Sequence, residues 1–153
     1  MAGRETPATR ALREAGIEFE LREYEHDPNA GSYALEAAEA LGLDPDTVFK
    51  TLVVDRAGTL TVCIVPAAAQ LDLGALGKKA AMAPVPRAEK VTGYVAGGIS
   101  PLGQRRALPT LVDETAMEHE TVYVSAGRRG LEIELAPGDL VALTRAEVRR
   151  LRR

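Results

Sequence analysis

The sequence predicts a mixed α/β fold. We expect a single compact domain over residues 1–153, with a largely antiparallel mixed sheet or open barrel surrounded by short helices. The chain has 153 residues, the usual size of one domain. Segments with helical and strand periodicity alternate irregularly, and the last strands follow one another like hairpins. No repeat, low-complexity stretch or linker divides the chain.

The first half of the chain carries clear helix and strand signals. Helices are marked by a hydroxyl residue before the first apolar position and by a glycine after the last. Strands are marked by apolar residues that alternate with charged ones, or by β-branched runs bounded by turn residues. In order, these signals predict a helix from Thr6 to Gly16, a strand at 17–22, a helix from Ser32 to Gly42, and strands at 48–55 and 59–65.

The second half is more irregular. Thr144 and Glu147 have the spacing of a capping box, which predicts a basic helix at the C-terminal end. Glycine and proline mark the loops and turns between the other segments. The predicted elements are short helices at 71–79 and 86–91, a glycine-rich loop at 97–103, strands at 110–112, 121–125 and 131–135, and a turn at 137–139.

Composition excludes several classes of protein. The longest apolar runs, such as residues 62–69, are too short to span a bilayer, so we expect no membrane association. No secretory segment is recognisable at the N-terminus, and we therefore expect a cytoplasmic protein. Cys63 is the single cysteine and lies in a strand-like run, which favours a buried hydrophobe over a nucleophile.

Charge is distributed unevenly. The net charge is −3, but residues 1–76 carry 6 basic and 13 acidic side chains, whereas residues 77–153 carry 13 and 9. The basic excess gathers in pairs and runs of arginine. Such clusters are most often solvated faces, although several in one half could also form a phosphate-contacting surface. The clusters lie at 105–106, 128–129 and 145–153.

Lys50 is the most informative single residue. Strand alternation places it on the same face as Val48, Leu52 and Val54, where a lysine must either reach water or be held by a partner. It is therefore either an edge-strand lysine or an anchor for an anion or a carbonyl. The loop at 97–103 is a weaker signal, because its glycines fit a plain connection as well as a backbone oxyanion site.

A second polar segment follows near the C-terminal end. A strand ends at Ser125, turns on glycines that carry Arg128 and Arg129, and continues into a strand that presents Glu132 and Glu134 on one face. Both carboxylates could be solvent-facing residues of a strand, and we interpret Glu134 in this way. No group of residues has metal-ligand or serine-triad spacing, so we expect no metal and no cofactor. The residues themselves indicate a polar site on an apolar sheet and no more.

Five motifs occur along the chain in a fixed order. They are YEHD at 24–27, FKTL at 49–52, GGISPLGQ at 97–104, LPTLVDE at 108–114 and YVSAGRRGLEIEL at 123–135. Together they resemble the YbaK family, the bacterial Cys-tRNA(Pro) deacylases related to the editing domain of prolyl-tRNA synthetases. The resemblance runs from the first helix to about residue 143.

The resemblance implies a hydrolase that removes a wrong amino acid from tRNA(Pro), most often cysteine. It places the site on Tyr24, Lys50, Gly97, Ser125 and Glu132, although the family pattern has aspartate at the last position. We assign catalysis to Lys50, Gly97 and Tyr24, and substrate binding to Ser125, Glu132, Gly98 and Arg128.

The resemblance also implies the acceptor end of mischarged tRNA(Pro) and prolyl-tRNA synthetase as partners, and attack by the substrate's own thiol. Two alternatives stay open. One is a deacylase for Ala-tRNA(Pro) or another mischarged tRNA, and the other is a catalytically silent aminoacyl-tRNA-binding module.

Overall fold

The computed structural model describes residues 4–27, 29 and 32–153. Four α-helices and eight strands are present in this part of the chain. The helices are α1 (Pro7–Glu14), α2 (Tyr33–Leu41), α3 (Val85–Thr92) and α4 (Pro137–Thr144). The strands are β1 (Glu20–Glu23), β2 (Phe49–Arg56), β3 (Thr59–Pro66), β4 (Ala80–Met82), β5 (Thr110–Asp113), β6 (Val122–Arg128), β7 (Leu131–Leu135) and β8 (Glu147–Arg149).

The strands form two sheets. The smaller sheet has the order β1-β7-β6 and is antiparallel throughout. The larger has the order β4-β2-β3-β5-β8, in which β4, β2 and β3 are antiparallel and β5 and β8 join in parallel. A parallel bridge between Val48 and Tyr123 connects the two sheets. The predicted mixed, largely antiparallel architecture is confirmed, and the sheets do not close into a barrel.

Apolar faces of both sheets and of α1 form the main core. Ile133 and Leu135 of β7 and Val124 of β6 are buried there together with Leu12 of α1 and Phe49 of β2. The alternate residues of β6 and β7 therefore point away from this core, toward the polar site described below. Within the described residues, no helix has the length and apolar content needed to cross a membrane.

The prediction of a basic helix at the C-terminal end is wrong. Thr144 does not cap a helix start; its hydroxyl donates to the carbonyl of Leu140 at 2.7 Å and lies in the last turn of α4. Arg145 then adopts a φ of 55°, which ends the helix. The chain continues as β8, which pairs with β5, and Asp113 accepts hydrogen bonds from the main-chain N–H groups of Leu151 and Arg152.

Two other local predictions are corrected. The predicted turn at 137–139 is the first turn of α4, because Pro137 occupies the first helical position, where a missing N–H costs nothing. In place of the predicted helix at 71–79 the chain forms a short 3₁₀ segment, Leu73–Leu76. The residues that follow, Ala80–Met82, form β4 and pair with β2. In the second segment, strand pairing with β2 decided the outcome.

Candidate functional site

A cleft opens where the edge of β2 is not covered by another strand. β2 pairs with β3 along its whole length but with β4 only over residues 54–56, and the bridge to β6 lies at Val48, one residue before β2 begins. The edge between these two contacts, residues 49–53, lines a cavity of about 340 Å³. That volume lies at the low end of the range for small-molecule sites.

Five of the residues assigned from the sequence lie around this cleft. Tyr24, Lys50, Gly97, Ser125 and Glu132 all contribute to its lining, although they come from five separate segments of the chain. The structure therefore brings together the residues that the family resemblance names.

Glu132 forms the polar floor of the cleft. Its side chain is only 6% exposed, and no described residue pairs with its carboxylate through an ion pair or hydrogen bond. Burial raises the pKa of this carboxyl to about 8, because a desolvated negative charge is costly. It is therefore largely neutral at pH 7 in the empty cleft, and a positively charged group that enters the cleft would favour its ionised form.

Tyr24 and Ser125 flank Glu132. Ser125 lies directly opposite Glu132 in the β6–β7 ladder, so their side chains share one face. Tyr24 follows β1 and its main-chain N–H donates to Gly130 at 2.9 Å. Burial and the negative charge of nearby Glu132 both raise the pKa of the Tyr24 hydroxyl. These two hydroxyls and one carboxyl form a compact group of donors and acceptors.

Lys50 lies on the wall formed by β2. Its amine donates to the carbonyl of Ala67 at 3.3 Å, and no described carboxylate is within ion-pair distance. Burial lowers the pKa of this amine, because the charged form is poorly solvated there. An anion or a carbonyl oxygen would supply the partner that this cation lacks.

Gly97 contributes a main-chain donor. The N–H groups of its neighbours are bonded, Ala96 to the carboxylate of Glu89 at 2.7 Å and Gly98 to the carbonyl of Val95 at 2.9 Å. Among the described residues, the Gly97 N–H has no such partner. Gly97 also has a φ of 92°, and an added Cβ would lie 3.1 Å from the ring of Tyr33. Glycine is thus required by both conformation and space.

The Gly97→Ala variant is expected to lose activity and stability together. The left-handed backbone disfavours alanine, and the Tyr33 ring leaves little room, so we expect a cost of about 1–3 kcal/mol in the free energy of unfolding. Chemical denaturation measures this cost. Gly138→Ala is the matched control, because Gly138 lies in α4 with no atom within 4 Å of an added Cβ. Equal stability of the two variants would contradict the strained geometry.

Gly98 and Arg128 do not line the cleft. An added Cβ on Gly98 would lie 2.7 Å from Cα of Arg128, so this glycine lets the loop pack on the β6–β7 turn. The Arg128 guanidinium donates to Glu23 at 3.0 Å. In this arrangement Gly98 positions the loop that carries Gly97, and Arg128 lies outside the cavity.

Three polar members of the lining were not predicted as site residues, namely Ser32, Tyr33 and Thr51. Tyr33 is 42% exposed, and the Arg129 guanidinium lies 4.2 Å from its ring centre. The hydroxyl oxygen of Thr51 is buried without a hydrogen-bond partner among the described residues. Successive residues of a strand point to opposite faces, yet the neighbours Lys50 and Thr51 both line the cleft.

Cys63 lies away from the cleft, buried in β3. Burial raises the pKa of its thiol to about 11, so it is protonated at neutral pH and a poor nucleophile. This agrees with its interpretation as a core residue. No group of three or more histidine, cysteine or carboxylate side chains within the described part of the chain could hold a metal ion.

Comparison with known proteins identifies relatives of the whole chain. Residues 27–143 match the model of the aminoacyl-tRNA editing domain. The chain is 35% identical over 150 residues to EbsC of Enterococcus faecalis, a proposed Cys-tRNA(Pro)/Cys-tRNA(Cys) deacylase; the match covers 93% of this chain and 90% of EbsC.

Solved structures show the same fold. A proposed trans-editing enzyme for prolyl-tRNA synthetase superposes with a TM-score of 0.84 at 27% identity, over 97% of this chain and 98% of that one. A scaffold protein used for epitope grafting superposes with a TM-score of 0.85 at 26% identity, over 96% and 95% of the two chains.

Proposed function

The chain belongs to the aminoacyl-tRNA editing domain family, and we propose from this that it hydrolyses the ester of mischarged tRNA(Pro), with Cys-tRNA(Pro) as its preferred substrate. The observation that carries the proposal is the single cleft that gathers Tyr24, Lys50, Gly97, Ser125 and Glu132. The relatives described above support the choice of amino acid and tRNA. A tRNA substrate further implies a cytoplasmic location.

The chemistry of the cleft fits a small aminoacyl ester. One side is apolar, lined by residues such as Val53, Ala88 and Ile99, and can accept a short side chain. The other side carries Glu132, Ser125 and Tyr24, which can bind an ammonium group and ribose hydroxyls. A separate hydrolytic site is useful because apolar pockets distinguish one-carbon differences by only about 1–3 kcal/mol.

We assign the reacting carbonyl to the space between Lys50 and Gly97. As the tetrahedral intermediate forms, negative charge grows on its oxygen, and the Lys50 amine and the Gly97 N–H are donors without strong partners of their own. The substrate's α-ammonium would pair with Glu132, which favours the ionised form of that carboxyl. Binding would thus use groups that are incompletely paired in the free protein.

For the cysteinyl ester, the substrate thiolate is the attacking group. Its sulfur bonds to the carbonyl carbon, the bond to the ribose oxygen breaks, and that oxygen takes up a proton. Water then opens the resulting thiolactone to free cysteine. Positioning an internal nucleophile can lower a barrier by about 7–11 kcal/mol, which would explain why the cleft needs no nucleophile of its own.

A panel of charged tRNA(Pro) species tests the function. Purified protein is expected to release cysteine from Cys-tRNA(Pro) fastest, alanine and serine more slowly, and proline at the buffer rate. Serine is nearly isosteric with cysteine, but its hydroxyl is barely ionised at neutral pH, so substrate-thiol attack predicts a much slower rate. Equal rates on the cysteinyl and seryl esters would indicate an activated water instead.

The same assay separates the other candidates. Fastest release from Ala-tRNA(Pro) would indicate an alanine-specific editing domain, and no release from any ester would indicate a binding module. Addition of prolyl-tRNA synthetase tests the proposed partnership, since association is expected to raise selectivity for tRNA(Pro). A domain of this size has little surface with which to read a whole tRNA by itself.

A further inference from the structure

A basic groove lies beside the cleft, on the far side of α3. It has a volume of about 580 Å³ and runs between α3, the β2–β3 turn and residues 105–109. Four cationic side chains line it, and no carboxylate does. These side chains are Arg87, Lys90, Arg105 and Arg106.

Most of this positive charge is not compensated. Arg87 pairs with Asp55 at 3.0 Å. Lys90, Arg105 and Arg106 form no ion pair with any described residue, and Arg105 donates only to the carbonyl of Lys90 at 3.4 Å. Other arginines noted in the sequence differ in this respect. Arg128, Arg129 and Arg152 pair with Glu23, Glu36 and Asp113 respectively.

The basic surface continues beyond the groove. A second depression shares Thr59 and Pro109 with it and is lined by three more cationic side chains, again without a carboxylate. They are Arg56, Lys78 and Lys79. An extended track of positive charge suits a polyanion such as the RNA backbone, whereas a single small anion would need only part of it.

The two sides of the cleft have opposite charge. On one side, α3 is a shared wall: Val85 and Ala88 line the cleft, while Arg87 and Lys90 line the groove. On the other side, α2 separates the cleft from a depression lined by carboxylates. They are Glu25, Asp27, Glu36 and Glu39, of which Glu36 is paired with Arg129. Phosphates would be repelled at the α2 side and attracted at the α3 side.

We propose that this basic groove binds backbone phosphates of the tRNA acceptor end, so that the strand reaches the cleft across α3. The proposal rests on the proposed function, because it takes the terminal aminoacyl-adenosine to occupy the cleft. Lys90 and Arg106 suit a mutational test of these phosphate contacts, since both are exposed and neither has an ionic partner among the described residues.

A double charge reversal tests the groove. Lys90→Glu with Arg106→Glu is compared with Arg10→Glu with Arg13→Glu, which changes the net charge equally on the exposed face of α1. Binding of uncharged tRNA(Pro) is measured over a range of salt concentrations. Loss of two phosphate contacts reduces the log–log salt slope by about 1.5, so affinity at 0.1 M salt is expected to fall about 30-fold. The control pair of substitutions is expected to change the affinity less than threefold.

A short substrate distinguishes the contribution of the groove from that of the cleft. Hydrolysis of cysteinyl-adenosine, which carries no backbone phosphate, is expected to persist in the groove variant while kcat/KM for Cys-tRNA(Pro) falls. Unchanged tRNA affinity, an equal loss in the α1 control, or an equal loss on the short substrate would overturn the proposal. If the wild-type protein hydrolyses neither substrate but binds tRNA through the groove, the result supports tRNA binding by the groove and contradicts the proposed function.

Discussion

The Glu132→Gln variant is expected to have a higher free energy of unfolding than the wild type at pH 8, and to hydrolyse its substrate more slowly. The carboxyl has a pKa of about 8 when folded, against an ordinary value of 4.5. Between these values the folded state holds a proton that the unfolded chain releases, so wild-type stability falls as pH rises through this window. Glutamine is neutral at every pH and avoids that loss.

The predicted difference depends on pH in a specific direction. Near pH 4.5 both proteins carry a neutral group at position 132 and should be about equally stable. At pH 8 the variant should be more stable by an amount on the order of 4 kcal/mol, since the pKa rises from 4.5 to about 8 and one unit of pKa corresponds to about 1.4 kcal/mol. Urea denaturation at pH 5 and pH 8 measures it. A pH-independent difference would contradict the buried, unpaired carboxyl.

The same substitution should weaken catalysis. An amide cannot form an ion pair with the substrate's ammonium group, and loss of a charged hydrogen bond costs about 1.5–3 kcal/mol. We therefore expect kcat/KM to fall about 10- to 150-fold. Glu132→Asp is the matched control, because it keeps the charge and restores the residue typical of the YbaK family. A variant that gains stability and loses activity would mark Glu132 as a group retained for function.

Replacing Lys50 by alanine is expected to reduce deacylation by at least about 100-fold, the usual effect of removing one donor to a developing oxyanion. The free energy of unfolding should stay the same or rise. Burial lowers the pKa of the Lys50 amine, so its charge is a cost to the folded state at neutral pH, and its one hydrogen bond to Ala67 is long. Single-turnover hydrolysis and thermal unfolding measure the two effects.

Lys50→Met is the control for packing. Methionine keeps most of the side-chain length on the β2 wall but removes the charge, so its activity should match that of the alanine variant. Near-normal turnover in either variant would remove Lys50 from the mechanism. A large drop in stability would instead show that the amine has a structural partner.

Local sequence signals predicted the antiparallel centre of the fold well. The strands at 48–55 and 59–65 with their glycine turn correspond to β2 and β3, and the capped helix at Thr6 corresponds to α1. The C-terminal segment failed because its outcome depends on distant residues. Asp113, 38 positions before Leu151, binds the main chain there and holds it extended, and no local pattern reports such a contact.

Five of the seven residues assigned to the site from the sequence line one cleft, but the shape of that cleft was not predictable. The resemblance named residues from five segments, and the cleft gathers all five. The role of the open β2 edge was not predictable, because it depends on how far β4 and β6 extend along that strand. Thr51 was missed for that reason. The burial of Glu132 was also missed, since alternation alone fits a solvent-facing strand residue.

The central claim is that this cleft hydrolyses Cys-tRNA(Pro), and one time course tests it most directly. Release of labelled cysteine is followed at pH 7.5 with the wild-type protein, with Lys50→Ala and with buffer alone. The account predicts complete release by the wild type, and release at close to the buffer rate by the variant. Release by the wild type at the buffer rate, or equal release by both proteins, would contradict it.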